Sequence, residues 1–170
     1  MTTDAKIKSV NPSAYAFRPA VRADLPMLRR WLRTPEVLRW WGDAEEQEAL
    51  LREDFAEPAM VMRVVSFDGR PFAYAQDYEV HAWPQTHFAH LPQGARAIDS
   101  FIGVPDMIGC GHGATFLRLL AERLLTQGTP MVAIDPDRNN IRARRAYARA
   151  GFRGGTDSEA GTAILMLFEG

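Results

Sequence analysis

The feature that most constrains the fold of this chain is the order of apolar runs and glycines in its second half. An apolar run with a single acid, residues 97–103, precedes a glycine-rich segment, residues 108–113, and then an apolar stretch of helical composition, residues 114–125. A second short apolar run, residues 131–134, leads through D-P-D-R-N-N to an arginine-rich stretch, residues 141–152. This order predicts a strand, a glycine turn, a helix, a second strand and a second helix.

The glycine-rich segment, I-G-C-G-H-G, suits the binding of a phosphate-bearing cofactor. Glycines allow positive φ and a close approach of the backbone, and the N–H groups at the start of the next helix can hold a diphosphate. The segment is not a Walker loop, since no Lys-Ser or Lys-Thr follows, and it lacks the glycine spacing of a Rossmann fingerprint. The alternative is a tight strand-to-helix turn without a ligand. The pattern as a whole indicates an enzyme with a phosphate-bearing cofactor.

Size and composition restrict the other possibilities. The 170 residues suffice for one domain, residues 1–170, in which residues 1–14 form a polar lead-in. A net charge of −1 provides no basic surface for nucleic acid, and no apolar run approaches the roughly 20 residues that span a membrane. The single cysteine, Cys110, excludes an internal disulfide and suits a reducing compartment. We therefore expect a cytoplasmic protein with a small-molecule substrate, either a monomer or a homodimer.

The first third of the chain predicts one strand and two helices. Residues 16–19 form the strand, and a helix with apolar residues at helical spacing follows it and ends before Pro35. Residues 35–38 predict a short turn, and residues 43–55 predict an acidic helix. We expect its acids to form a solvated face that could also steer a cationic substrate, namely Asp43, Glu45, Glu46, Glu48, Glu53, Asp54 and Glu57.

The middle of the chain predicts a β-hairpin and a long loop. Residues 60–67 and 71–80 are strands on either side of the turn signal Asp68-Gly69. Residues 81–96 lack periodicity and form a candidate substrate loop, and residues 162–168 form a last strand. Alternation along the second hairpin strand places four side chains on one face, those of Phe72, Tyr74, Gln76 and Tyr78.

Two polar residues in apolar surroundings are the candidates for catalysis. Asp99 interrupts an apolar run, where an unpaired buried acid is costly, so it is either exposed on a half-buried strand or a general base near an amine. Tyr147 in the last helix is either a core residue or a phenol that protonates a departing thiolate. Asn140, directly before that helix, either caps it or binds an amide-rich ligand.

The tryptophan pair, the cysteine and the histidines of the middle loop match no established motif. Trp40 and Trp41 are either core residues or the apolar wall of a substrate pocket. Cys110 has no histidine placed to activate it, and it offers its backbone N–H instead. We expect no metal site, because no zinc spacing is formed by the histidines of the middle loop, His81, His87 and His90.

These residues together resemble the Gcn5-related N-acetyltransferase (GNAT) superfamily, from about residue 16 to residue 168. The resemblance implies an α+β fold with a strongly twisted mixed sheet of six or seven strands, flanked by helices. Within the superfamily the chain is most similar to aminoglycoside 6'-N-acetyltransferases. Four segments carry this likeness: Trp40-Trp41-Gly42, Tyr74-Ala75-Gln76-Asp77-Tyr78, Ile98-Asp99, and Asp135-Pro136 with Asn140 and Tyr147-Ala148-Arg149-Ala150-Gly151-Phe152.

The resemblance also implies where acetyl-CoA binds. The glycine loop would cradle its diphosphate, and the strand before the loop would separate from its neighbour and pair with the pantetheine arm. Ile108 occupies a position where the superfamily has Gln or Arg, although the 6'-N-acetyltransferases also tend to carry an aliphatic residue there. The residues implied to contact the donor are Phe101, Ile108, Gly109, Cys110, Gly111, His112, Gly113, Ala114 and Asn140.

For the reaction, the resemblance implies that Asp99 binds and deprotonates the 6'-ammonium of an aminosugar and that Tyr147 protonates the CoA thiolate. The other residues implied to contact the substrate are Trp40, Trp41, Gln76, Tyr78 and Asp135. In an aminoglycoside-modifying enzyme we would expect acids in the candidate substrate loop, and this loop contains neither Asp nor Glu.

Two other functions share part of the pattern. Siderophore-pathway acyltransferases, which acylate a hydroxylated lysine side chain, resemble this chain in its W-W-G and D-P-x-x-x-N segments. They usually carry a histidine shortly before the catalytic acid, where this chain has Arg96 and Ala97. A non-catalytic acyl-CoA-binding domain would have no use for both the acid at Asp99 and the phenol at Tyr147.

Overall fold

The fold is a mixed seven-stranded sheet with helices on both faces. A computed structural model describes residues 11–155 and 161–170, so most of the expected lead-in lies outside the described residues. The strands follow the spatial order β1-β2-β3-β4-β5-β7-β6. They are β1 (Tyr15–Pro19), β2 (Met60–Phe67), β3 (Arg70–Glu79), β4 (Arg96–Ile102), β5 (Val132–Ile134), β6 (Phe152–Gly154) and β7 (Met166–Phe168). This architecture confirms the predicted mixed sheet flanked by helices.

Five α-helices of the described residues cover the sheet. They are α1 (Leu25–Leu32), α2 (Pro35–Trp41), α3 (Ala44–Asp54), α4 (His112–Thr126) and α5 (Ile141–Ala150). Within the described part of the chain, none of them is long and apolar enough to cross a membrane.

The core has an apolar layer on each face of the sheet. On one face, Phe116 and Leu120 of α4 pack with Val65 and Ile98 of the sheet, and all four side chains are almost fully buried. On the other face, residues of the first three helices pack against the sheet in a cluster that includes Leu28, Trp31, Val37, Leu51, Val64 and Tyr74. Burial of apolar surface on both faces holds the sheet and the helices together.

The hairpin between β2 and β3 sets the register of the centre of the sheet. Asp68 and Gly69 form the predicted turn, with φ angles of 47° and 78°. β3 then pairs antiparallel with β4, and this register places Gln76 directly opposite Asp99. Directly opposite side chains on one face of a sheet lie within contact distance.

β4 and β5 are paired only at their beginnings. Their parallel ladder joins Arg96 to Val132 and Ala97 to Ala133, and the pairing does not extend to Ile98. The two strands therefore separate from Ile98 onward, as expected for the strand that precedes the glycine turn.

The expected turn at residues 35–38 is wrong, because these residues begin a helix. α2 runs from Pro35 to Trp41 and follows Thr34, whose backbone is extended. Proline suits the first turn of a helix, where its missing N–H has no partner to lose and its φ is already helical. The same proline thus ends one helix and starts the next, and α2 carries both tryptophans of the W-W-G segment.

The expected common face for Phe72 and Tyr74 is also wrong. A β-bulge lies between Val65 and Ser66, where Val65 pairs with Ala73 and Ser66 pairs with Pro71. Phe72 is therefore skipped in the ladder and packs against Phe116 of α4, at 5.9 Å between ring centroids, while Tyr74 belongs to the cluster on the opposite face. A bulge shifts the alternation by one residue, and the residue types do not reveal its position.

The acidic side chains of α3 were predicted to form a solvated face, and Glu48 is an exception. Only 8% of this residue is exposed, and its carboxylate accepts hydrogen bonds of 2.6 Å from Arg29 and Arg52. Arg29 first and Arg52 second lower the pKa of the Glu48 carboxyl to about 2. Glu48 lies three residues before the buried Leu51 and so shares its helix face, which is turned toward α1.

Three element boundaries differ from expectation. α4 begins at His112 rather than at residue 114, because a glycine is tolerated in the first turn of a helix. β7 is confined to Met166–Phe168, within the expected last strand. β6 was not predicted, because Gly151 ends α5 in the left-handed conformation and only three residues follow as strand.

Candidate active site

An apolar groove opens where β4 and β5 separate. We call it the apolar groove, and residues of α2, β4, the glycine turn, α4 and α5 line it. They are Glu36, Val37, Trp40, Trp41, Ser100, Phe101, Ile102, Ile108, Gly109, Gly111, Gly113, Ala114, Phe116, Leu117, Asn140, Arg142, Ala143, Ala146, Tyr147 and Arg149.

The glycine turn places backbone N–H groups at one end of this groove. Gly109 and Gly111 have φ angles of 78° and 89°, and an added Cβ at either would meet no atom within 4 Å. The backbone conformation, rather than lack of space, therefore requires glycine at both positions. Gly111 is the N-cap of α4, and the first N–H groups of a helix have no acceptor inside the helix. The turn and the helix dipole thus form a site that suits a diphosphate.

A second, polar cavity adjoins the groove. We call it the acidic pocket, because three carboxylates line it. Five residues are shared with the apolar groove, which shows that the two cavities are continuous: Trp40, Trp41, Ser100, Asn140 and Tyr147. The other lining residues are Gln47, Gln76, Ile98, Asp99, Ile134, Asp135, Pro136 and Asp137.

A chain of hydrogen bonds orients the Asp99 carboxylate. The Tyr74 hydroxyl donates to Gln76 Oε1 at 2.6 Å, and Gln76 Nε2 donates to Asp99 Oδ2 at 2.9 Å. Tyr74 is fully buried and stacks on Phe101, so the first donor of this hydrogen-bond series is held in place by packing. One oxygen of Asp99 is thereby occupied, and the carboxylate is held at the wall of the acidic pocket.

Burial changes the acidity of the Asp99 and Asp135 carboxyls. Removal from water first, and then the charge of the nearby Asp135 carboxylate, raise the pKa of Asp99 to about 7, while the hydrogen bond from Gln76 opposes the shift. Burial also raises the pKa of Asp135, and the hydrogen bond with His87 opposes that shift. Asp99 can therefore exchange a proton near neutral pH, which is a requirement for a general base.

Tyr147 lies where the apolar groove meets the acidic pocket. It belongs to α5 and lines both cavities together with Ser100. Burial first, and then the charge of Asp99, raise the pKa of its phenol, so the hydroxyl stays protonated at neutral pH. The Asp99 carboxylate, which can accept a proton, and the Tyr147 phenol, which keeps its proton, thus line the same acidic pocket.

The sequence comparison with protein families decides the class of this site. Residues 20–159 match the family model described as acetyltransferase (GNAT) domain. The chain belongs to the GNAT acetyltransferases.

Two known proteins are similar to this acetyltransferase, one of them over nearly its whole length. Aminoglycoside N(6')-acetyltransferase type 1 of Klebsiella pneumoniae is 29% identical over 179 aligned residues, which cover 97% of this chain and 88% of the relative. A shorter match, to a kanamycin resistance protein of Rhizobium radiobacter, is 32% identical over 77 residues and covers 44% of this chain and 71% of the relative.

Solved structures agree with these relatives. The aminoglycoside acetyltransferase AAC(6')-Ib in complex with paromomycin and acetyl-CoA superposes with a TM-score of 0.79 at 26% identity, covering 91% of this chain and 93% of the other. The same enzyme in complex with coenzyme A and kanamycin gives a TM-score of 0.77 at 28% identity, covering 90% of this chain and 93% of the other.

Most of the predicted site residues of this acetyltransferase line the two cavities. Gly109, Gly111, Gly113 and Ala114 border the groove with Phe101, Ile108 and Asn140, while Trp40 and Trp41 border both cavities. The acidic pocket is bordered by Gln76, Asp99 and Asp135. Asn140 is also a helix cap, because its Oδ1 accepts a hydrogen bond from the N–H of Ala143 at 3.1 Å.

Three predicted site residues lie elsewhere. Tyr78 is buried next to Trp83 and does not line either cavity. The His112 ring is turned into the core, where its Nδ1 shares a hydrogen bond of 2.6 Å with the Tyr15 hydroxyl, so only its backbone is available to a ligand. Cys110 is exposed, with its thiol donating weakly to the carbonyl oxygens of Asp106 and Ile108 at 3.7 Å.

Several lining residues were not predicted from the sequence. Ser100 and Asp137 follow Asp99 and Asp135 closely, and that proximity was the available signal. Gln47 and Arg142 reach the cavities from α3 and α5, and only the packing of those helices places them there. Among residues 11–155 and 161–170, no group of histidine, cysteine and carboxylate side chains suits a metal ion.

Proposed function

We propose that this acetyltransferase moves the acetyl group of acetyl-CoA to a primary amine, and that its acceptor is the 6'-amine of an aminoglycoside. The observation that carries this proposal is the continuity of the apolar groove with the acidic pocket, where Asp99 lines the pocket and Tyr147 lines both cavities. The relatives named for 6'-N-acetylation and the structures solved with paromomycin or kanamycin support the acceptor. A cytoplasmic location, suggested by the single cysteine, is part of the same proposal.

The apolar groove would hold the donor. Its glycine turn and the start of α4 offer N–H groups to the diphosphate, and the open edge of β4 from Ile98 onward offers backbone groups to the pantetheine amides. Phe101 and Ile108 supply apolar contacts, and the guanidinium groups of Arg142 and Arg149 add positive charge beside the groove. These residues suit a long, anionic, amide-bearing ligand.

The acidic pocket would hold and activate the amine. Asp99 pairs with the acceptor ammonium and then accepts a proton from it, which leaves a neutral amine with a free electron pair. That amine attacks the thioester carbonyl, the new C–N bond forms, and the C–S bond breaks. Tyr147 donates its phenolic proton to the departing sulfur, and the surplus proton of the new amide nitrogen passes to the phenolate and restores Tyr147. Holding both partners at one junction lowers the entropic cost of their encounter.

A second acceptor class has one observation in its favour. Residues 80–95 carry no acid, and His87 of this segment is hydrogen-bonded to Asp135, so one of the three pocket carboxylates already has a partner within the protein. A hydroxylated lysine side chain, the acceptor of the siderophore-pathway enzymes, is smaller and less cationic than an aminoglycoside. The aminoglycoside proposal nevertheless has the stronger support, because the pocket retains Asp99, Asp135 and Asp137.

The test is an acceptor panel with the wild type and Asp99→Asn. Release of free CoA thiol is followed with kanamycin, tobramycin and N6-hydroxylysine. We expect turnover of both aminoglycosides and a fall in kcat/KM of about 10²-fold or more in the variant, because the amine then stays protonated. In the wild type, kcat/KM should rise with pH through about 7, the pKa of Asp99, since the carboxylate form is the active one.

Other outcomes have separate meanings. Turnover of N6-hydroxylysine alone would favour the second acceptor class. Lack of turnover with both aminoglycosides would refute the proposed acceptor, and full turnover by Asp99→Asn would refute the general-base role.

A further inference from the structure

The loop between β3 and β4 is a packed part of the protein. We call residues 80–95, which the structure places between the two strands and which nearly coincide with the candidate substrate loop predicted at residues 81–96, the histidine loop, after their three histidines. Phe88 is fully buried and Leu91 is 5% exposed, and both join the apolar cluster under the loop. His81 Nε2 shares a hydrogen bond of 2.9 Å with the carbonyl oxygen of Leu91, and Gly94 N donates to Glu79 Oε1 at 3.1 Å. These contacts hold the loop in one position beside the acidic pocket.

His87 is the member of this loop that reaches the pocket. It lies in the short 3-10 turn Thr86–Phe88, with its ring centroid 4.0 Å from that of the buried Phe88. Its Nε2 is 2.9 Å from Asp135 Oδ2, and the two side chains are 30% and 20% exposed. The loop, which contains no carboxylate, therefore contributes an ionisable base directly against one of the pocket's acids.

We infer that His87 determines acceptor specificity: its protonated ring pairs with Asp135 and competes with a second ammonium group of the acceptor. This inference rests on the proposed function. When His87 is neutral, Asp135 is free to bind an amine of a polycationic acceptor. When His87 is protonated, the acceptor must displace a cation that is already in place. An acceptor that binds only through Asp99 is insensitive to the change.

Other titratable groups face the same carboxylate. Asp99 of β4 lies across the pocket, Tyr78 of β3 and Tyr147 of α5 interact with Asp135 electrostatically, and Asp137 lines the pocket two residues further on. Protonation of Asp99 weakens the binding of every acceptor, because Asp99 is proposed to hold the reacting amine. The contribution of His87 must therefore be measured as a difference between variants and between acceptors.

The experiment compares the wild type with His87→Gln, which keeps an N–H donor for Asp135 but has no titratable charge. Calorimetric titration in the presence of CoA gives the Kd of tobramycin and of 6-amino-6-deoxyglucose, which keeps only the reacting amine. From about pH 8 to about pH 5.5, the Kd of tobramycin should rise at least about fivefold more in the wild type than in His87→Gln. The Kd of the monoamine should change equally in both proteins.

The control is His90→Gln, in the same loop, where the histidine is exposed. It should bind both ligands like the wild type at every pH. The inference is overturned if wild type and His87→Gln show the same pH dependence for tobramycin, or if His90→Gln shows the same change as His87→Gln. It is also overturned if His87→Gln loses binding of the monoamine, because His87 would then support the loop rather than select the acceptor.

Turnover separates this inference from the proposed function. A wild type that acetylates no aminoglycoside refutes the proposed function. A wild type that acetylates tobramycin, with no difference between it and His87→Gln, refutes only the role of His87.

Discussion

The pKa values of Asp99 and Tyr147 are both raised by burial, and the proposed reaction uses the two raised values differently. Burial is the largest contribution to the raised pKa of each group. For the carboxyl, the shift brings proton exchange to about pH 7, where a base is useful. For the phenol, the shift keeps the proton on the oxygen at neutral pH, so the hydroxyl is present as a donor when the sulfur departs. At the scale of single residues, burial thus sets the protonation state that each group needs.

Tyr147→Phe tests this division of roles. We expect kcat to fall by about 10²-fold, because the thiolate then leaves without a proton donor, while the Kd of acetyl-CoA changes little. Phenylalanine keeps the ring that packs 6.3 Å from Phe152, so the fold should be retained. Turnover is measured by CoA release and binding by calorimetry. A large rise in the Kd of acetyl-CoA with unchanged kcat would assign Tyr147 a structural role.

The sequence revealed Asp99 more readily than its partner Gln76. An acid inside an apolar run is conspicuous wherever the run folds, because burial of an unpaired charge is costly. Gln76 lies 23 positions away, and only the antiparallel register of β3 and β4 brings its amide to 2.9 Å from the carboxylate. The histidine at 87 is a similar case, since nothing in its own segment indicates a bond to Asp135 across 48 positions.

At the scale of elements, the separation of β4 from β5 and the glycine turn before α4 together form the groove. The ladder between the two strands stops after Ala97, and the glycine turn places the start of α4 beside the gap. A helix of 15 residues contributes its N-terminal N–H groups and dipole at this point. Gly111 is the residue on which this arrangement depends, because its left-handed backbone begins the helix.

Gly111→Ala should weaken acetyl-CoA binding by about tenfold, because a left-handed alanine costs about 1–2 kcal/mol and the turn would relax away from the diphosphate position. The matched control is Gly128→Ala. Gly128 also has a positive φ, of 98°, and open space around its Cβ position, but it lies beyond the other end of α4, a helix about 22 Å long.

Both variants should lose similar stability in urea unfolding, and only Gly111→Ala should change the Kd of acetyl-CoA. Equal binding by the two variants would exclude a specific role of the glycine turn.

At the scale of the whole molecule, a buried ion cluster joins three neighbouring strands, β2, β3 and β4. Asp77 of β3 is fully buried, and its carboxylate is bonded to Arg63 of β2 and Arg96 of β4. Arg96 also donates to the backbone carbonyl of Asp77 at 3.0 Å. Removal of one member of such a cluster leaves the other charges buried without a counter-ion, which costs more than the pairing itself contributes.

Asp77→Ala should lower the free energy of unfolding by about 3 kcal/mol or more, because two arginines would stay largely buried without their carboxylate. Urea unfolding followed by circular dichroism measures the change. The control is Asp106→Ala, since Asp106 pairs with Arg70 at 3.4 Å with side chains 69% and 57% exposed. That substitution should cost less than about 1 kcal/mol. Equal losses in the two variants would show that the buried cluster does not stabilise the sheet.

The sequence by itself determined the order of strands and helices from β4 to α5, the position of the glycine turn, and the acid and phenol of the candidate site. Those features depend on residue type and local spacing, which a single sequence contains. The tertiary structure decided which residues meet. The bulge at Phe72, the burial of Glu48 and of the His112 ring, the placement of Tyr78 outside both cavities, and the contact of His87 with Asp135 all arise from strand register and helix packing. Such contacts join residues far apart in the chain, and their free energy appears only when the elements pack together.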